Sequence, residues 1–238
     1  MKKELLAVVI TAAMVLTACS SSEETEETTT SETIASETTV TETTTAETTA
    51  DEPVQDEDYI VFGHYEQDGD DSNGPEPIEW IVLSEDDGRV LLISRYILDY
   101  QPYNTEMTDV TWETCSLRAW LNDDFINAAF DASEQEKILT VTVSTPDYVS
   151  PYGVSDGGND TEDKVFLLSC EEADTLFAND EERAVGDCDW WWLRSPGHIH
   201  NRASVVLTGG ELYPHGHIVS FNNFDHGVRP ALWLELDA

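Results

Sequence analysis

Apolar and polar positions divide this chain into three regimes. An apolar run covers Leu5 to Val15, residues 20 to about 56 hold almost nothing large and apolar, and from Tyr59 to Leu236 apolar residues return in short alternating stretches. In the third regime, period-2 alternation predicts strands at Tyr59–Tyr65, Ile78–Ser84 and Arg89–Ser94, with Glu85-Asp86-Asp87-Gly88 as a hairpin turn between the last two. Helical spacing follows. Thr111 is placed to cap a helix carrying Leu117, Trp120 and Leu121 on one face, and Phe125, Ala129 and Phe130 continue the pattern. Ser133-Glu134-Gln135-Glu136 reads as a capping box for another short helix. Lys164–Leu168 reads as a strand, and Ser169-Cys170-Glu171-Glu172 as a second capping box whose helix runs to about Phe177. Between these helical segments, Pro146–Asp163 is rich in Pro, Gly, Ser and Asp, which predicts a long loop.

The C-terminal third returns to β periodicity. Strands are predicted at Trp190–Arg194, Ala203–Thr208, Glu211–Tyr213, Gly216–Phe221 and Val228–Leu236. Gly209-Gly210 suits a tight turn, and Pro230 should put its strand at an edge or a bulge, because proline has no N–H for a ladder. The order of elements predicts an α+β domain of short strands, a few short helices and long loops, without the βαβ alternation of a doubly wound sheet. Its roughly 180 residues suit a single domain.

The first two regimes read as address and spacer. Lys2 and Lys3 precede the apolar run, which ends in Leu16-Thr17-Ala18-Cys19. This is the order of a secretory signal closed by a lipobox: residues 1–18 as signal peptide, with Cys19 as the first mature residue and the site of lipid attachment. A membrane-spanning helix needs about 20 apolar residues, so the run predicts an anchor and not a span. Localisation at the cell membrane, facing away from the cytoplasm, follows. Residues 19–56 are Thr-, Glu- and Ser-rich, with no Lys, Arg or aromatic residue. They bury too little to offset their ordering entropy, which predicts a disordered stalk. As a flexible coil it would reach about 35 Å. Its threonines also suit O-glycosylation. The folded domain is expected over 57–238.

Charge excludes one class of partner. Eleven Lys+Arg stand against 49 Asp+Glu, a formal net charge of −38. Nucleic acid needs clustered cations to neutralise phosphate, so none is expected as a partner. Anionic lipid is disfavoured likewise, leaving membrane attachment to the N-terminal lipid. Solubility through self-repulsion is the plain reading of the acidity, and attraction of cations the sharper one.

Several residue groups are candidates for chemistry. Five of the six histidines fall between 198 and 226. His198 and His200, like His215 and His217, are two apart, which on a strand puts each pair on one face. If the strands neighbour each other, four imidazoles converge, with His226, Asp225 or Glu211 to complete a shell for a transition metal. The alternative is a polar or pH-responsive face that happens to be rich in histidine. Asp68-Gly69-Asp70-Asp71-Ser72-Asn73-Gly74 spaces oxygen ligands like a loose calcium loop, but it lacks the sixth-position Gly and twelfth-position Glu of the EF-hand pattern and equally suits a turn. No cofactor is otherwise expected. Trp190-Trp191-Trp192 offers core packing on one face and, through Trp190 and Trp192, a stacking platform on the other. Arg194 and Arg229 are candidates either for a carboxylate pair that fixes the fold or for a ligand carboxylate. Of the cysteines left after lipidation, Cys170 and Cys188 would close a short loop, whereas Cys115, on a predicted helix without a nearby histidine, reads as a buried structural thiol. There is no Gly-x-Ser-x-Gly elbow, His-Glu-x-x-His or phosphate loop.

Four sets of segments carry a resemblance. They are Phe62-Gly63 with Glu76-Pro77-Ile78-Glu79-Trp80-Ile81-Val82-Leu83; Gln101-Pro102-Tyr103-Asn104 with Thr111–Asn122; Thr161–Ser169; and Trp191-Trp192-Leu193-Arg194-Ser195-Pro196-Gly197 with Gly227-Val228-Arg229-Pro230-Ala231-Leu232-Trp233. In this order they resemble the bacterial domain-of-unknown-function family 6273, over nearly all of the chain after about residue 59. More weakly, Arg194–Gly197 and Gly227–Pro230 resemble two C-terminal motifs of the formylglycine-generating, sulfatase-modifying proteins. That resemblance implies a C-type-lectin-like fold, with termini brought together by strands. The formylglycine enzymes use a closely spaced cysteine pair with copper; here Cys188 stands alone near the C-terminus. Relatives often carry a cysteine just before Gln-Pro-Tyr-Asn, where this chain has Tyr100. The resemblance therefore implies that a thiol partner for Cys115 is missing.

Three functional expectations result. The leading one is a surface-displayed, lipid-anchored binding domain for an extracellular glycan, wall or protein ligand, with Trp190, Trp192, Arg194 and Arg229 as candidate contacts. The second is a metal-dependent enzyme built on His198, His200, His215 and His217. The third is a non-catalytic scaffold that docks partner proteins.

Overall fold

The early alternation folds as a long hairpin with an added outer strand. The computed structural model describes residues 59–151, 153–186, 190–221 and 226–236, and the backbone alone of 54–55. Within it β1 (Val54–Gln55) is followed by β2 (Ile60–Tyr65), β3 (Glu76–Asp86), β4 (Arg89–Ser94) and β5 (Asp99–Tyr100). The β3–β4 turn is Asp87-Gly88, with φ of 46° and 81°. Two successive left-handed residues make the type I′ geometry that matches strand twist, and Asp-Gly meets that need. β3 is longer at both ends than the expected 78–84 segment because pairing with β2 begins at Glu76↔Tyr65 and pairing with β4 continues to Asp86↔Arg89.

The helical region is broken into short pieces. Thr111 begins only a 3₁₀ turn, Trp112–Thr114, its carbonyl accepting from the N–H groups of Thr114 and Cys115. Cys115 is extended, and it rather than Thr111 caps α1 (Ser116–Trp120): its Sγ accepts from the Arg118 N–H at 3.4 Å. A π turn over Leu121–Phe125 leads into α2 (Ile126–Ala129). α3 (Ala132–Lys137) is capped by Asp131, not by Ser133. The Asp131 carboxylate accepts from the N–H groups of Ser133 and Glu134 at 2.7 and 2.9 Å, and Glu134 Oε2 accepts in return from the Asp131 N–H at 2.8 Å. The capping box thus lies two residues before the expected one, because Phe130 is extended and the helix starts directly after Asp131.

Residues 146–163 are not the expected loop. β6 (Val141–Val143) leads into a small hairpin of β7 (Tyr148–Ser150) and β8 (Gly153–Ser155), and β9 (Thr161–Asp163) pairs with β6. These strands pair only locally, so their composition resembles that of a loop. After β10 (Val165–Phe166), α4 (Cys170–Leu176) begins with the capping box expected at Ser169: its Oγ accepts from the Glu172 N–H at 3.1 Å, and Glu172 Oε2 from the Ser169 N–H at 2.8 Å. A further turn of helix, α5 (Asp180–Arg183), follows.

The C-terminal strands are β11 (Trp190–Pro196), β12 (Arg202–Val206), β13 (Leu212–Ile218), β14 (His226–Val228) and β15 (Ala231–Glu235). The expected strands at 211–213 and 216–221 belong to one strand, β13, whose pairing with β12 slips between Tyr213 and His217 where Gly216 takes φ 71°. The single strand expected at 228–236 splits in two.

Two sheets result. One has the order β1-β2-β3-β4-β15-β10 and the other β13-β12-β11-β14-β5, with β11 and β14 parallel. Arg229-Pro230 is where the chain leaves the second sheet and enters the first. Pro230 therefore sits at a crossing, where its missing N–H interrupts no ladder, and not at an edge or bulge; its carbonyl accepts from the Ser94 N–H at 2.9 Å. Trp80, Trp191, Trp192, Leu92, Phe125 and Leu232 belong to one buried cluster shared by both sheets and the helices. The architecture is α+β. Among the described residues no helix is long and apolar enough to cross a membrane. Cys19, the segment 1–18 and the tract 19–53 lie outside the described residues, as do Cys188 and Asp225.

Candidate functional site

The two singled-out arginines are buried and serve the fold. Arg194, on β11, uses all five of its donors. Nε and Nη2 donate to the Ser144 carbonyl at 3.2 and 2.9 Å, Nη1 donates to the Leu167 carbonyl at 2.8 Å, and Nη1 and Nη2 both meet the Glu172 carboxylate. This is the carboxylate pair expected of an arginine that fixes a fold. Arg229 differs. Among the described residues its guanidinium meets no carboxylate. It donates to the carbonyls of Ser94 (2.7 Å) and Arg183 (3.3 Å) and lies 5.2 Å from the Trp191 ring and 5.5 Å from that of Phe177. Burial pushes its pKa down to about 9.

Alternation on β11 leaves no exposed pair of tryptophans, because packed side chains cover both faces of the strand. Trp191 and Trp192 are fully buried. Their indole N–H groups donate to the carbonyls of Arg183 and Gln101 at 3.1 and 3.0 Å. The Trp192 ring packs against Tyr103 and His226, so it presents no platform to a ligand. Trp190, at the strand's start, is half-buried, with its ring 4.2 Å from that of His217.

The histidines divide. His198 and His200 lie in the turn after β11, not on a strand, so their spacing does not put them on one face. The His198 ring lies 5.7 Å from that of His215, while the His217 ring lies 5.3 Å from that of His226. His215 and His217 part company because the irregular register of β13 falls between them. His200 is exposed, and its ring joins neither group. Among the described residues, the one place where three or more possible ligand atoms fall within 4.8 Å of one another is Glu66, Asp68 and Glu76. These carboxylates close the loop that carries the calcium-like pattern. Glu66 Oε1 accepts from the N–H of Gly69, Asp68 Oδ1 from that of Asp70, and Glu76 Oε2 from that of Gln67. Asp70 instead accepts from Ser72.

A concavity lies beside the Arg194–Glu172 pair. It is a cleft of about 760 Å³, within the range of small-ligand sites. Strand alternation on β15 sends Leu232 and Leu234 into the core and leaves Trp233 half-buried at the cleft. The Arg89 guanidinium lies 4.6 Å from the Trp233 ring. One wall is the β6 segment, with Thr140, Thr142 and Ser144; another is α4, with Glu171 and Thr175. An aromatic ring, hydroxyls and carboxylates thus face one space. Sequence reading names Arg89, Glu171 and Trp233 only as parts of a strand, a capping box and a family motif and does not join them in a site, since they come from separate segments.

Cys115 and Cys170 carry free thiols. Burial pushes the Cys115 thiol up to about 12, against weaker lowering by the N–H groups of Arg118 and Leu117. Burial also raises that of Cys170. Cys170 is thus not joined to Cys188 in the expected short loop, and Cys188 itself lies outside the described residues.

Several of the motif segments bond to one another. Asp163 accepts from the Trp112 indole (3.0 Å) and from Arg118 Nε (2.6 Å). Asn122 accepts from the Lys164 N–H and donates to the Val165 carbonyl. Tyr103 donates to the Arg194 carbonyl at 2.9 Å. These ties give the ordered motif set a structural origin. No curated protein and no solved structure matches the chain. The model of the domain of unknown function DUF6273 matches residues 87–236, beginning at the β3–β4 turn, so that β2 and all of β3 precede the matched segment while belonging to the same sheet. With more than half of its length matched, the chain belongs to the DUF6273 family.

Proposed function

We propose that this chain is a lipid-anchored, surface-displayed bacterial binding domain, and that the cleft between β6, α4 and Trp233 takes an extracellular glycan. One observation carries the reading: the half-buried Trp233 ring shares a 760 Å³ cleft with the hydroxyls of Thr140 and Ser144 and the carboxylate of Glu171. A sugar presents apolar C–H faces and hydroxyl edges, and such a lining meets both. Arg194 contributes by holding the wall, since its donors are spent. The anchor rests on Lys2, Lys3, the apolar run and Cys19, and the acidic tract after Cys19 acts as the spacer. A C-type-lectin-like fold suits the short helices, the extensive loops and the sharing of one sheet by the first and last strands. Glycan arrays, including wall fragments, probed with the full chain in detergent test the reading. Binding that is weakened in Trp233→Ala and kept in Trp190→Ala supports it; uniformly blank arrays with folded protein overturn it.

A further inference from the structure

We propose that His198 and His215 form a two-imidazole site for a divalent transition-metal ion. The site is separate from the glycan cleft and does not depend on it. Backbone construction brings the two residues together. β11 ends at Pro196, and Gly197 turns the chain back so closely that a Cβ there would lie 2.7 Å from Arg202 Cβ and 2.8 Å from the His215 carbonyl oxygen. Gly216, at φ 71°, makes a matching approach, with an added Cβ only 2.4 Å from the Ala203 carbonyl oxygen. These two glycines let the turn carrying His198 lie flat on the strand carrying His215.

The turn is then clamped in a way that sets the chemistry of the ring. The His215 carbonyl accepts the His198 backbone N–H at 3.1 Å and contacts His198 Nδ1 at 2.8 Å. A carbonyl oxygen only accepts, so Nδ1 carries the proton. In the neutral ring the lone pair therefore sits on Nε2, and the ring's orientation is fixed. An imidazole that donates one nitrogen to a backbone carbonyl and offers the other is the arrangement that orients histidine ligands toward metals. The second imidazole, His215, lies 5.7 Å away between ring centres, inclined at 49°, with its residue exposed. Two neutral imidazoles suit zinc, copper or nickel, with copper(II) held most tightly in the general affinity order. Two protein ligands leave the remaining positions to water or to a donor atom of a bound molecule. His217 faces Trp190 and His226, and His200 stands apart, so neither belongs to the site.

Zinc(II) and copper(II) titrations of the metal-free, untagged full chain in detergent, followed by calorimetry and, for copper, by electron paramagnetic resonance, test the inference. One ion should bind per chain with a nitrogen-split copper spectrum. His198→Ala and His215→Ala should each weaken binding by ~10-fold or more, while His200→Ala and His217→Ala leave it unchanged. The proposal is overturned if the parent chain takes up neither metal, or if uptake is the same in His198→Ala and His215→Ala. It is also overturned if the loss follows His217 or His200. Since His215 is exposed and His198 half-buried, the variants should fold; unchanged circular dichroism confirms that a loss of binding is local.

Discussion

Arg194 on β11 and Glu172 on α4 face each other across a two-pronged contact, with Nη2 to Oε1 at 2.8 Å, and Glu172 also accepts the N–H that opens its own helix. One carboxylate therefore caps α4 and ties that helix to the second sheet. Arg194→Ala would leave the carbonyls of Ser144 and Leu167 and one prong of Glu172 without donors. The expected loss is on the order of 3 kcal/mol, read as a lower denaturant midpoint with an unchanged slope. Arg194→Lys should recover only part, because an ammonium does not reproduce the planar fork.

Trp192 and Trp233 should separate stability from binding. Trp192→Ala removes a fully buried ring and should cost about 3–5 kcal/mol. Trp233→Ala, at a half-buried ring, should change stability less and lower glycan affinity by up to about tenfold. Equal destabilisation by the two, measured in urea, would argue against Trp233 as a surface for ligand.

Cys115 should be inert in the folded chain. Its thiol is 2% exposed and is pushed up to about 12, so almost no thiolate exists at neutral pH. Alkylation by iodoacetamide followed by peptide mass analysis should find Cys115 unmodified until denaturant is added. Rapid native labelling there would contradict the packing of the α1 cap.

The Asp131 cap predicts an acid limb. Hydrogen bonds from the Glu134 N–H, and then from the Ser133 side chain, hold this carboxyl below its ordinary value. With the folded pKa lowered, the unfolded chain takes up its proton first. The stabilisation is therefore complete above the ordinary carboxylate value of about 4 and is lost as pH falls through the folded value. Asp131→Ala should lower the melting temperature at pH 7 and remove that part of the acid dependence, so that parent and variant converge as pH falls below the folded value.

Local signals were legible where one residue type answers one backbone need. Asp87-Gly88 marks its hairpin by left-handed geometry, and Ser169 with Glu172 marks its helix by reciprocal capping. The placement of Asp131 was less legible, because Ser133 offers the same spacing and only the extended Phe130 decides between them. Long-range placement was not written locally at all. Trp192 loses its exposed face because Tyr103 and His226, from distant segments, pack against its ring. The cleft gathers Arg89, Thr140, Glu171 and Trp233 from four separate stretches, none of which has a binding pattern of its own. The histidine spacing pointed to strands, whereas the turn at 198–201 and the irregular register of β13 paired His198 with His215 instead.

The crossing at Arg229-Pro230 has a consequence for the order of events during synthesis. β14 joins the second sheet beside β11, and β15 fills the gap between β4 and β10 in the first. The slot between β4 and β10 stays open until residue 235 has left the ribosome, whatever the rest of the chain has done. A chain cut before residue 226 would lack the strand that joins β11 to β5 and the strand that joins β4 to β10. The last strands thus act as the closing stitch of the domain, and folding of the whole sets only once they have emerged.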